Sequence, residues 1–304
     1  MIEILAGDCR ETLKTLADQS INTCITSPPY WGLRDYGEDE QLGLEDTPEE
    51  YVANLVQVFR EVKRVLRDDG TVWLNLGDTY SATRWSNTPS TTGISQSHSD
   101  IVLQKKTKLP DKNLVGIPWR VAFALQQDGW YLRQDIIWHK PNPMPESVKD
   151  RCTKAHEYIF LLSKNAKYYY DHEAIKEDAK FPDGPNTPSS IKAVEGVYSA
   201  NLQKIGANDK RNKRSVWTVT TKPYKEAHFA TFPMDLIEPC VLAGCPEGGT
   251  VLDPFGGSGT TGQIADGHNR NAILCELNPE YIKISKKRLG VGTDLFSEVE
   301  VKND

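Results

Sequence analysis

The chain has 304 residues, 38% of them hydrophobic, with 36 lysines and arginines against 42 aspartates and glutamates and a net charge of −6. This length can bury a full core, and the acidic balance argues against a protein that coats nucleic acid through bulk charge. No apolar run reaches membrane-spanning length and no signal peptide opens the chain, so we expect a soluble, intracellular protein.

Six cysteines are scattered along the chain, mostly within apolar segments. None belongs to a Cys-x-x-Cys pair, and no histidine stands at zinc-binding spacing. We therefore predict reduced core thiols and no metal site. The six are Cys9, Cys24, Cys152, Cys240, Cys245 and Cys275.

The first predicted elements are two short strands separated by a helix. Residues 2–5 form the first strand, and Asp8, with Glu11 three residues later, is a natural N-cap for a helix that continues to Ala17. Residues 21–26 are a second β-prone run, which ends at the consecutive prolines that follow it.

The segment directly after the second strand is Ser27-Pro28-Pro29-Tyr30-Trp31. Pro29 holds Pro28 out of the helical region, so the carbonyls of Ser27 and Pro28 are displayed at the strand edge beside a hydroxyl and two aromatic rings. This set suits the binding of a flat heterocycle with an exocyclic amine. A proline turn beside two core aromatic residues is the alternative interpretation.

The next predicted elements are a long helix and a buried strand. Thr47 and Glu50 form a capping box, and apolar residues recur at helical spacing until Asp68-Asp69-Gly70. Residues 71–76 then form a strand. Residues 79–113 are rich in serine and threonine and lack periodicity, which is typical of a functional or a disordered connection.

Strands and helices alternate through the rest of the chain. We predict helices from Pro118, Pro233, Ser258 and Asn278, and strands over residues 131–139, 157–162, 250–253 and 271–276. Residues 171–225 show little pattern and are the best candidate for a separate small unit. The alternation predicts an α/β fold with a doubly wound, mostly parallel, Rossmann-like sheet, which binds ligands at the carboxyl ends of its strands.

A concentration of positive charge lies near the end of the 171–225 region, where only Asp209 opposes it. A solvated surface is the usual explanation for such a run, and a local nucleic-acid contact is the functional one. The basic residues are Lys204, Lys210, Arg211, Lys213, Arg214, Lys222 and Lys225.

A glycine-rich turn from Asp253 onward joins a predicted strand to a predicted helix and matches Gly-x-Gly-x-x-Gly at Gly257, Gly259 and Gly262. Glu276 ends the next strand, where it can accept hydrogen bonds from ribose hydroxyls. Too little chain follows for the second half of a dinucleotide fold, and Asp253 would repel a pyrophosphate while suiting a cationic amino acid. These features favour S-adenosylmethionine over NAD.

The order of these parts indicates a circularly permuted sheet. The first strand with Asp8 would then supply the adenine side of the same pocket, and Ser27 would follow a neighbouring strand. A helix N-cap is a second and compatible role for Asp8.

These motifs resemble those of the amino-group DNA methyltransferases, and the resemblance covers most of the chain. Ser27-Pro28-Pro29-Tyr30 is similar to the catalytic motif of that family, residues 253–261 to its cofactor motif, and residues 228–233 to the segment that closes over the methionine end of the cofactor. The order, with the catalytic motif first, resembles the β group. In this family the serine form of the catalytic motif goes mostly with cytosine N4, and the aspartate form with adenine N6.

The resemblance implies a site-specific enzyme of the bacterial, archaeal or phage cytoplasm that methylates N4 of a flipped-out cytosine in double-stranded DNA. Its cofactor would be S-adenosylmethionine, with no metal. It implies a catalytic part (1–170) with a mobile loop (79–113), a target-recognition region (171–225), a cofactor-binding part (226–290) and a tail (291–304). A homodimer and a cognate restriction endonuclease are left open.

The expected site residues form three groups. The catalytic group is Ser27, Pro28, Pro29, Tyr30 and Trp31. The cofactor-binding group is Asp8, Cys9, Thr231, Phe232, Asp253, Phe255, Gly256, Gly257, Ser258, Gly259, Thr260 and Glu276. The DNA-binding group is Lys140, Asn142, Lys204, Lys210, Arg211, Lys213 and Arg214, and Lys105, Lys106 and Lys108 would join it if the 79–113 segment closes over DNA.

Three alternative functions stay open. The first is the same chemistry on adenine N6, which the sequence separates from cytosine methylation only through Ser27. A protein that binds cofactor and DNA without turnover is disfavoured by the intact Ser27-Pro28-Pro29-Tyr30 motif. Methyl transfer to RNA or to a protein amide is disfavoured by the serine and by the long basic region.

Overall fold

The computed structural model describes residues 1–33, 35–38, 40–81, 108–179, 210–221, 232–290 and 299–303. The chain divides into two compact units. The large unit comprises residues 1–170 and 215–304, and the small unit comprises residues 171–214. No helix among these described residues is long and apolar enough to cross a membrane.

The large unit is built from strands and helices that alternate along most of the chain. Its strands are β1 (Ile2–Ala6), β2 (Ile21–Thr26), β3 (Leu66–Leu76), β4 (Tyr131–His139), β5 (His156–Ser163), β8 (Val216–Thr218), β9 (Thr250–Asp253), β10 (Asn271–Glu276) and β11 (Val299–Asn303). Its helices are α1 (Cys9–Thr12) with a 3₁₀ turn (Leu13–Thr15), α2 (Pro48–Val65), α3 (Ile117–Gln127), α4 (Met234–Gly244), α5 (Thr260–Gly267) and α6 (Pro279–Arg288). In the small unit, β6 (Glu177–Asp178) pairs antiparallel with β7 (Lys210–Arg211).

The large sheet has the strand order β11-β1-β10-β9-β2-β3-β5-β4-β8. The strands from β11 to β3 are all parallel, and only β5 runs antiparallel to its neighbours β3 and β4. Strands β9 and β10, from late in the chain, lie between β1 and β2, as a circular permutation requires. The predicted α/β, doubly wound and mostly parallel sheet is confirmed.

Helices cover both faces of this sheet. Helix α2 begins at the predicted capping box, where the Thr47 hydroxyl accepts from the Glu50 amide at 3.2 Å, and it packs with α3 against one face. On the other face Trp73 of β3 stacks on Tyr170, with a centroid distance of 6.1 Å. Gly244 of α4 lies so close to Trp73 that a Cβ would stand 2.7 Å from its indole nitrogen. The alternation of side chains along β3 thus fills two separate cores.

The structure corrects several predicted boundaries. The first helical segment ends at Thr15 instead of Ala17, because Leu16 is already extended. Strand β3 begins at Leu66, because Asp68-Asp69-Gly70 is accommodated by a register shift against β2 rather than ending an element. Of the six cysteines predicted to be core thiols, Cys152 is exposed and the other five are buried.

The predicted loop over residues 79–113 lies mostly outside the described residues, and Lys105 and Lys106 lie there too. The two ends of the loop are joined in the structure. Tyr80 and Leu114 form an antiparallel bridge, and the Ser81 amide donates to the Asn113 carbonyl at 2.8 Å. The loop therefore leaves and re-enters the fold at one place, directly after β3.

Candidate functional site

The predicted site residues converge on one edge of the large sheet. Strands β1, β2, β3, β9 and β10 are parallel, so their carboxyl ends meet at this edge. Asp8 follows β1, Ser27 follows β2, the glycine-rich turn follows β9, and Glu276 ends β10. Because β5 is antiparallel to β3, its second residue, Glu157, reaches the same edge.

One hydrogen bond joins the two predicted motifs directly. The Thr26 hydroxyl, at the end of β2, donates to Asp253 Oδ1 at 2.6 Å. The Phe255 amide donates to the same oxygen at 3.1 Å, and the Thr261 hydroxyl donates to Oδ2 at 2.6 Å. Burial raises the pKa of Asp253 to about 6, against the opposing effect of these hydrogen bonds. Asp253 therefore fastens the Ser27 segment to the glycine-rich turn and to the start of α5.

This position differs from the predicted one for Asp253. The side chain was expected at an open mouth of the turn, in contact with a cationic ligand group. Instead the residue is 0% exposed and both carboxylate oxygens accept hydrogen bonds from the protein. We therefore assign Asp253 to positioning the turn rather than to direct contact with a ligand.

Two other turn residues also face the protein interior. Ser258 and Thr260 are 2% and 3% exposed, and their hydroxyls accept from Arg288 Nη1 at 2.9 and 2.7 Å. Helix α5 begins at Thr260, two residues later than predicted, because Gly259 is left-handed with φ +78°. The side chains of Ser258 and Thr260 therefore anchor the turn to α6, and their contact with a ligand stays a prediction. No sequence pattern pointed to Arg288.

Glu276 holds the middle of the turn. Its Oε2 accepts from the Gly257 amide at 2.7 Å and its Oε1 from the Asn278 amide at 2.8 Å. The Gly256 amide donates to the Cys275 carbonyl at 2.8 Å, so the turn lies directly on β10. The Leu277 amide also donates to this carboxylate, which has about four acceptor positions in all and so keeps capacity for the predicted ribose contact. Phe255, beside these residues, is half-buried.

Gly259 is a position where an added methyl group is expected to be harmful. Its φ of +78° disfavours residues with a Cβ, and a Cβ would stand 3.1 Å from Ser285 Oγ. We expect Gly259→Ala to lower the free energy of unfolding by about 1–2 kcal/mol, measured by urea denaturation. The control is Gly267→Ala in the last turn of α5, which meets no atom within 4 Å and should be neutral or slightly stabilising. Equal effects of the two substitutions would contradict this reading of the turn.

Raised carboxyl pKa values should make the stability of the protein depend on pH. Burial raises the pKa of Glu276 from 4.5 to about 7, and that of Asp253 is raised as well. The folded state then holds protons that the unfolded chain releases, so the free energy of unfolding should fall as pH rises from about 4 to about 7. Glu276→Gln removes one of these titrations and should reduce the fall by up to roughly 3 kcal/mol. Parallel pH profiles for wild type and variant in urea denaturation would refute this expectation.

Asp8 caps α1 as predicted, and it has a second partner. It accepts from the Arg10 amide at 2.7 Å, and its carboxylate also binds the Arg10 guanidinium, with Nε 2.9 Å from Oδ2. Burial acts to raise the pKa of Asp8, but the hydrogen bonds and charge of Arg10 lower it overall. Cys9 is 6% exposed, and burial raises its pKa well above the usual value. The Cys9 thiol is therefore a core group, and Asp8 alone borders the edge.

The Ser27 segment forms a hydrogen-bonded cluster with strands β3 and β5. The Tyr30 hydroxyl lies 2.8 Å from Glu157 Oε2 and 3.2 Å from Asn75 Oδ1. The Ser27 hydroxyl donates to the Tyr30 oxygen at 3.5 Å. Gly77 leaves room for the ring, because a Cβ there would stand 2.5 Å from Tyr30 Cε2. Asn75 and Glu157 were not identified from the sequence, since nothing in their local pattern distinguishes them from strand residues.

The other three residues of this segment are packed into the protein to different degrees. Pro28 is buried, and the Pro29 carbonyl accepts from the Tyr51 hydroxyl at 2.8 Å. Trp31 is 1% exposed, and its indole N–H donates to the Glu45 carbonyl at 2.9 Å. Trp31 therefore packs in the core, in accordance with the alternative interpretation, whereas Ser27 and Tyr30 border the edge.

Two residues predicted to contact DNA form contacts within the protein. Lys140 forms an ion pair with Glu157, and its ammonium lies 4.1 Å from the centre of the Trp138 ring. The Asn142 amide exchanges two hydrogen bonds with the backbone of Thr221, at 3.1 and 3.0 Å. Both side chains therefore fix the end of β4 and the loop that follows it.

Three residues of the basic run form ion pairs within the small unit. Antiparallel pairing places β6 opposite β7, so Asp178 binds Lys210 at 2.8 Å and Glu177 binds Arg211 at 2.9 Å. Arg214 also binds Glu177. Asp209 is the only acidic residue within the run itself, and the acidic partners Glu177 and Asp178 come from a segment about 30 residues earlier.

The structure describes only some of the remaining predicted residues. Lys204 and Thr231 lie outside the described residues, as do Lys222 and Lys225. Phe232, just before α4, and Lys213 are both half-buried. Within the described ranges, no group of three or more His, Cys, Asp and Glu side chains is placed to hold a metal ion.

Comparison with known sequences finds one family that matches most of the chain. The N6/N4 DNA methylase family model matches residues 21–287. The chain is 47% identical over 290 residues to Type II methyltransferase M.SmaI of Serratia marcescens, covering 94% of this chain and 90% of the relative. It is 47% identical over 287 residues to M.Cfr9I of Citrobacter freundii, with coverage of 94% and 87%.

Solved structures share the fold. A putative DNA modification methylase from Thermus thermophilus, in complex with S-adenosyl-L-methionine, is 24% identical, with a TM-score of 0.62 and coverage of 99% of this chain and 100% of the other. The cytosine-N4-specific PvuII DNA methyltransferase is 20% identical, with a TM-score of 0.64 and coverage of 97% and 87%. At these identities the likeness concerns the fold alone.

Proposed function

The chain belongs to the N6/N4 DNA methylase family, and from that premise we propose that it methylates the exocyclic N4 amine of cytosine in double-stranded DNA. It is accordingly a DNA methyltransferase of the amino-group type, and the choice of base is the finer part of the proposal. The observation that carries the proposal of methyl transfer is the Thr26–Asp253 hydrogen bond of 2.6 Å. This bond fixes the amine-binding motif next to the glycine-rich turn.

The glycine-rich turn fits S-adenosylmethionine, which we propose as the methyl donor. A Cβ on Gly257, whose φ is +52°, would meet only the Phe255 carbonyl oxygen at 3.8 Å, so the turn is open at this point for a ligand to approach. Glu276 offers carboxylate lone pairs to the ribose hydroxyls, and Asp8 borders the same edge for the adenine. When bound, the cofactor supplies an electrophilic methyl group on a sulfonium. This choice accords with the Thermus thermophilus methylase, which was solved with that molecule.

Ser27 has the central role in the proposed chemistry. The lone pair of the cytosine amine is delocalised into the ring, so the protein must localise it before the nitrogen can attack. The Ser27 hydroxyl and the carbonyl of Ser27 or Pro28 accept its two N–H bonds, whereas the Pro29 carbonyl is taken by Tyr51. As positive charge develops on the nitrogen, these acceptors stabilise it.

The target base must leave the duplex to reach Ser27. Flipping costs a few kcal/mol, which contacts to the base and the phosphates recover. The Tyr30 ring, fixed through its hydroxyl, is the proposed stacking surface for the base. The basic residues Lys204, Lys210, Arg211, Lys213 and Arg214 belong to the proposed target-recognition region, although pairing with Glu177 and Asp178 reduces their net charge.

The proposed preference for cytosine depends on Ser27. The PvuII enzyme, which shares the fold, is cytosine-N4-specific. The same chemistry on adenine N6 is the second candidate, because the matching family covers both N6 and N4 methylases. The relatives are named Type II methyltransferases, and on that ground a cognate restriction endonuclease is part of the proposal.

Transfer of label tests the proposal with purified components. The protein is incubated with S-adenosylmethionine labelled in its methyl group and with unmethylated double-stranded DNA that contains many different sequences. We expect label in the DNA, and none in RNA or in added protein. DNA that binds the protein but acquires no label would instead support a binding protein without turnover.

A further inference from the structure

Ser27 is neutral, yet a carboxylate is joined to it through one intervening residue. The Ser27 hydroxyl donates to the Tyr30 oxygen at 3.5 Å, and the Tyr30 hydroxyl lies 2.8 Å from Glu157 Oε2. In enzymes without bound substrate such catalytic contacts are often long and shorten in the complex. The result is a continuous chain of exchangeable protons from the proposed amine-binding position to a carboxylate.

The two oxygens of Glu157 are divided between two sets of partners. Oε1 binds the Lys140 ammonium, and Oε2 accepts from Tyr30 and, at 3.4 Å, from the Asn75 amide. The Glu157 and Lys140 side chains are only 16% and 18% exposed, so the pair is largely shielded from water. The carboxylate therefore has a fixed orientation, with Oε2 directed at Tyr30.

The proposed reaction leaves one proton to be removed. When the amine nitrogen gains a methyl group it carries a positive charge, and it regains neutrality by losing one of its N–H protons. The proton needs a route through the protein, because a flipped base bound beside Ser27 would exclude water from that position.

We propose that Glu157 is the terminal acceptor of this proton, which reaches it through Ser27 and Tyr30; the inference rests on the proposed function. The Ser27 oxygen takes the proton from the amine and passes its own to the Tyr30 oxygen. Tyr30 in turn passes its hydroxyl proton to Glu157 Oε2. One N–H bond breaks and one O–H bond forms on Glu157, both hydroxyls are restored, and Glu157 later returns the proton to water.

Other charged groups surround this carboxylate. Lys140 follows β4, while Lys154 and His156 lie just before and at the start of β5. Burial lowers the pKa of both Lys154 and His156. Tyr30 itself has a pKa raised by burial and by the charge of Glu157, so it stays protonated and serves as a carrier.

The test is single-turnover methyl transfer to DNA at saturating DNA and cofactor. Glu157→Gln preserves the shape of the side chain but cannot accept the proton, and it should lower the rate by roughly 10²-fold. It should also abolish the dependence of the rate on pH at the acidic side of the profile. Tyr30→Phe should cost about as much, and the double variant no more than either single one, because all three interrupt the same chain.

Two controls keep the result specific. Glu146→Gln makes the same chemical change at a carboxylate whose hydrogen-bond partners are Arg151 and the Lys154 amide rather than Ser27, Tyr30 or Glu157, so it should methylate like wild type. The affinity of Glu157→Gln for S-adenosylhomocysteine, measured by calorimetry, should be unchanged within a factor of about three.

Several outcomes would overturn the relay. Wild-type rate and pH dependence in Glu157→Gln would do so, and so would a loss confined to DNA binding or to base flipping, which would make Glu157 a structural support for Tyr30. Wild-type protein that transfers no methyl group to DNA would overturn the proposed function and the relay together. Methylation by wild type with a normal Glu157→Gln rate would overturn the relay alone.

Discussion

Ser27→Ala should reduce methyl transfer by roughly 10²-fold or more, because it deletes an acceptor that strengthens as positive charge develops on the amine. The loss should appear in turnover rather than in binding. The hydrogen bond that joins this segment to the glycine-rich turn is made by the Thr26 side chain, which the substitution leaves intact. Affinity for S-adenosylhomocysteine, measured by calorimetry, should therefore match that of wild type.

Ser20→Ala is the matched control for this substitution. Ser20 is exposed just before β2, at the opposite end of the same strand, and its hydroxyl donates to the Ala17 carbonyl at 2.7 Å. It should leave methyl transfer unchanged. Wild-type turnover in Ser27→Ala would remove Ser27 from the chemistry and would leave the backbone carbonyls as the acceptors of the amine.

Asp253→Ala should weaken cofactor binding at least tenfold and destabilise the protein by roughly 3 kcal/mol. The substitution leaves the Thr26 and Thr261 hydroxyls and the Phe255 amide without their acceptor in a site that is 0% exposed. The glycine-rich turn would then lose its attachment to β2. Calorimetric titration with S-adenosylhomocysteine and urea denaturation measure the two effects.

Asp253→Asn separates a positioning role from a direct one. Asparagine keeps the shape and one acceptor oxygen but loses the charge, so it should retain cofactor affinity within about fivefold if Asp253 only holds the turn. A loss as large as that of alanine would show that the charge itself binds the ligand, as the sequence had suggested. Asp266→Ala, at the exposed far end of α5, is the control and should be neutral.

Strand and helix positions were largely predictable because they follow from local periodicity and caps. The capping box at Thr47 and Glu50, the strand Tyr131–His139 and the asparagine cap at Asn278 all appear where the sequence placed them. The same local logic misplaced the start of β3. Asp68-Asp69-Gly70 resembles a turn, but the chain continues in the sheet because pairing with β2 tolerates a register shift there.

The location of the site was predictable, whereas the direction of its side chains was not. A glycine-rich turn after one strand and two prolines after another identify the edge of a parallel sheet. Whether Asp253 faces the ligand or the core depends on Thr26 and Thr261, and the first of these is 227 residues away in sequence. Likewise the local sequence around Lys140 gives no sign of its ion pair with Glu157, because that residue lies on β5.

The central claim is methyl transfer to cytosine N4, and nucleoside mass spectrometry tests it most directly. Plasmid DNA is prepared from a host that lacks its own methylases, with this protein or its Ser27→Ala variant expressed. We expect N4-methylcytosine with wild type and far less with the variant. N6-methyladenine in its place would contradict the inference from Ser27, and the absence of both modified nucleosides would contradict the proposed DNA methylation itself.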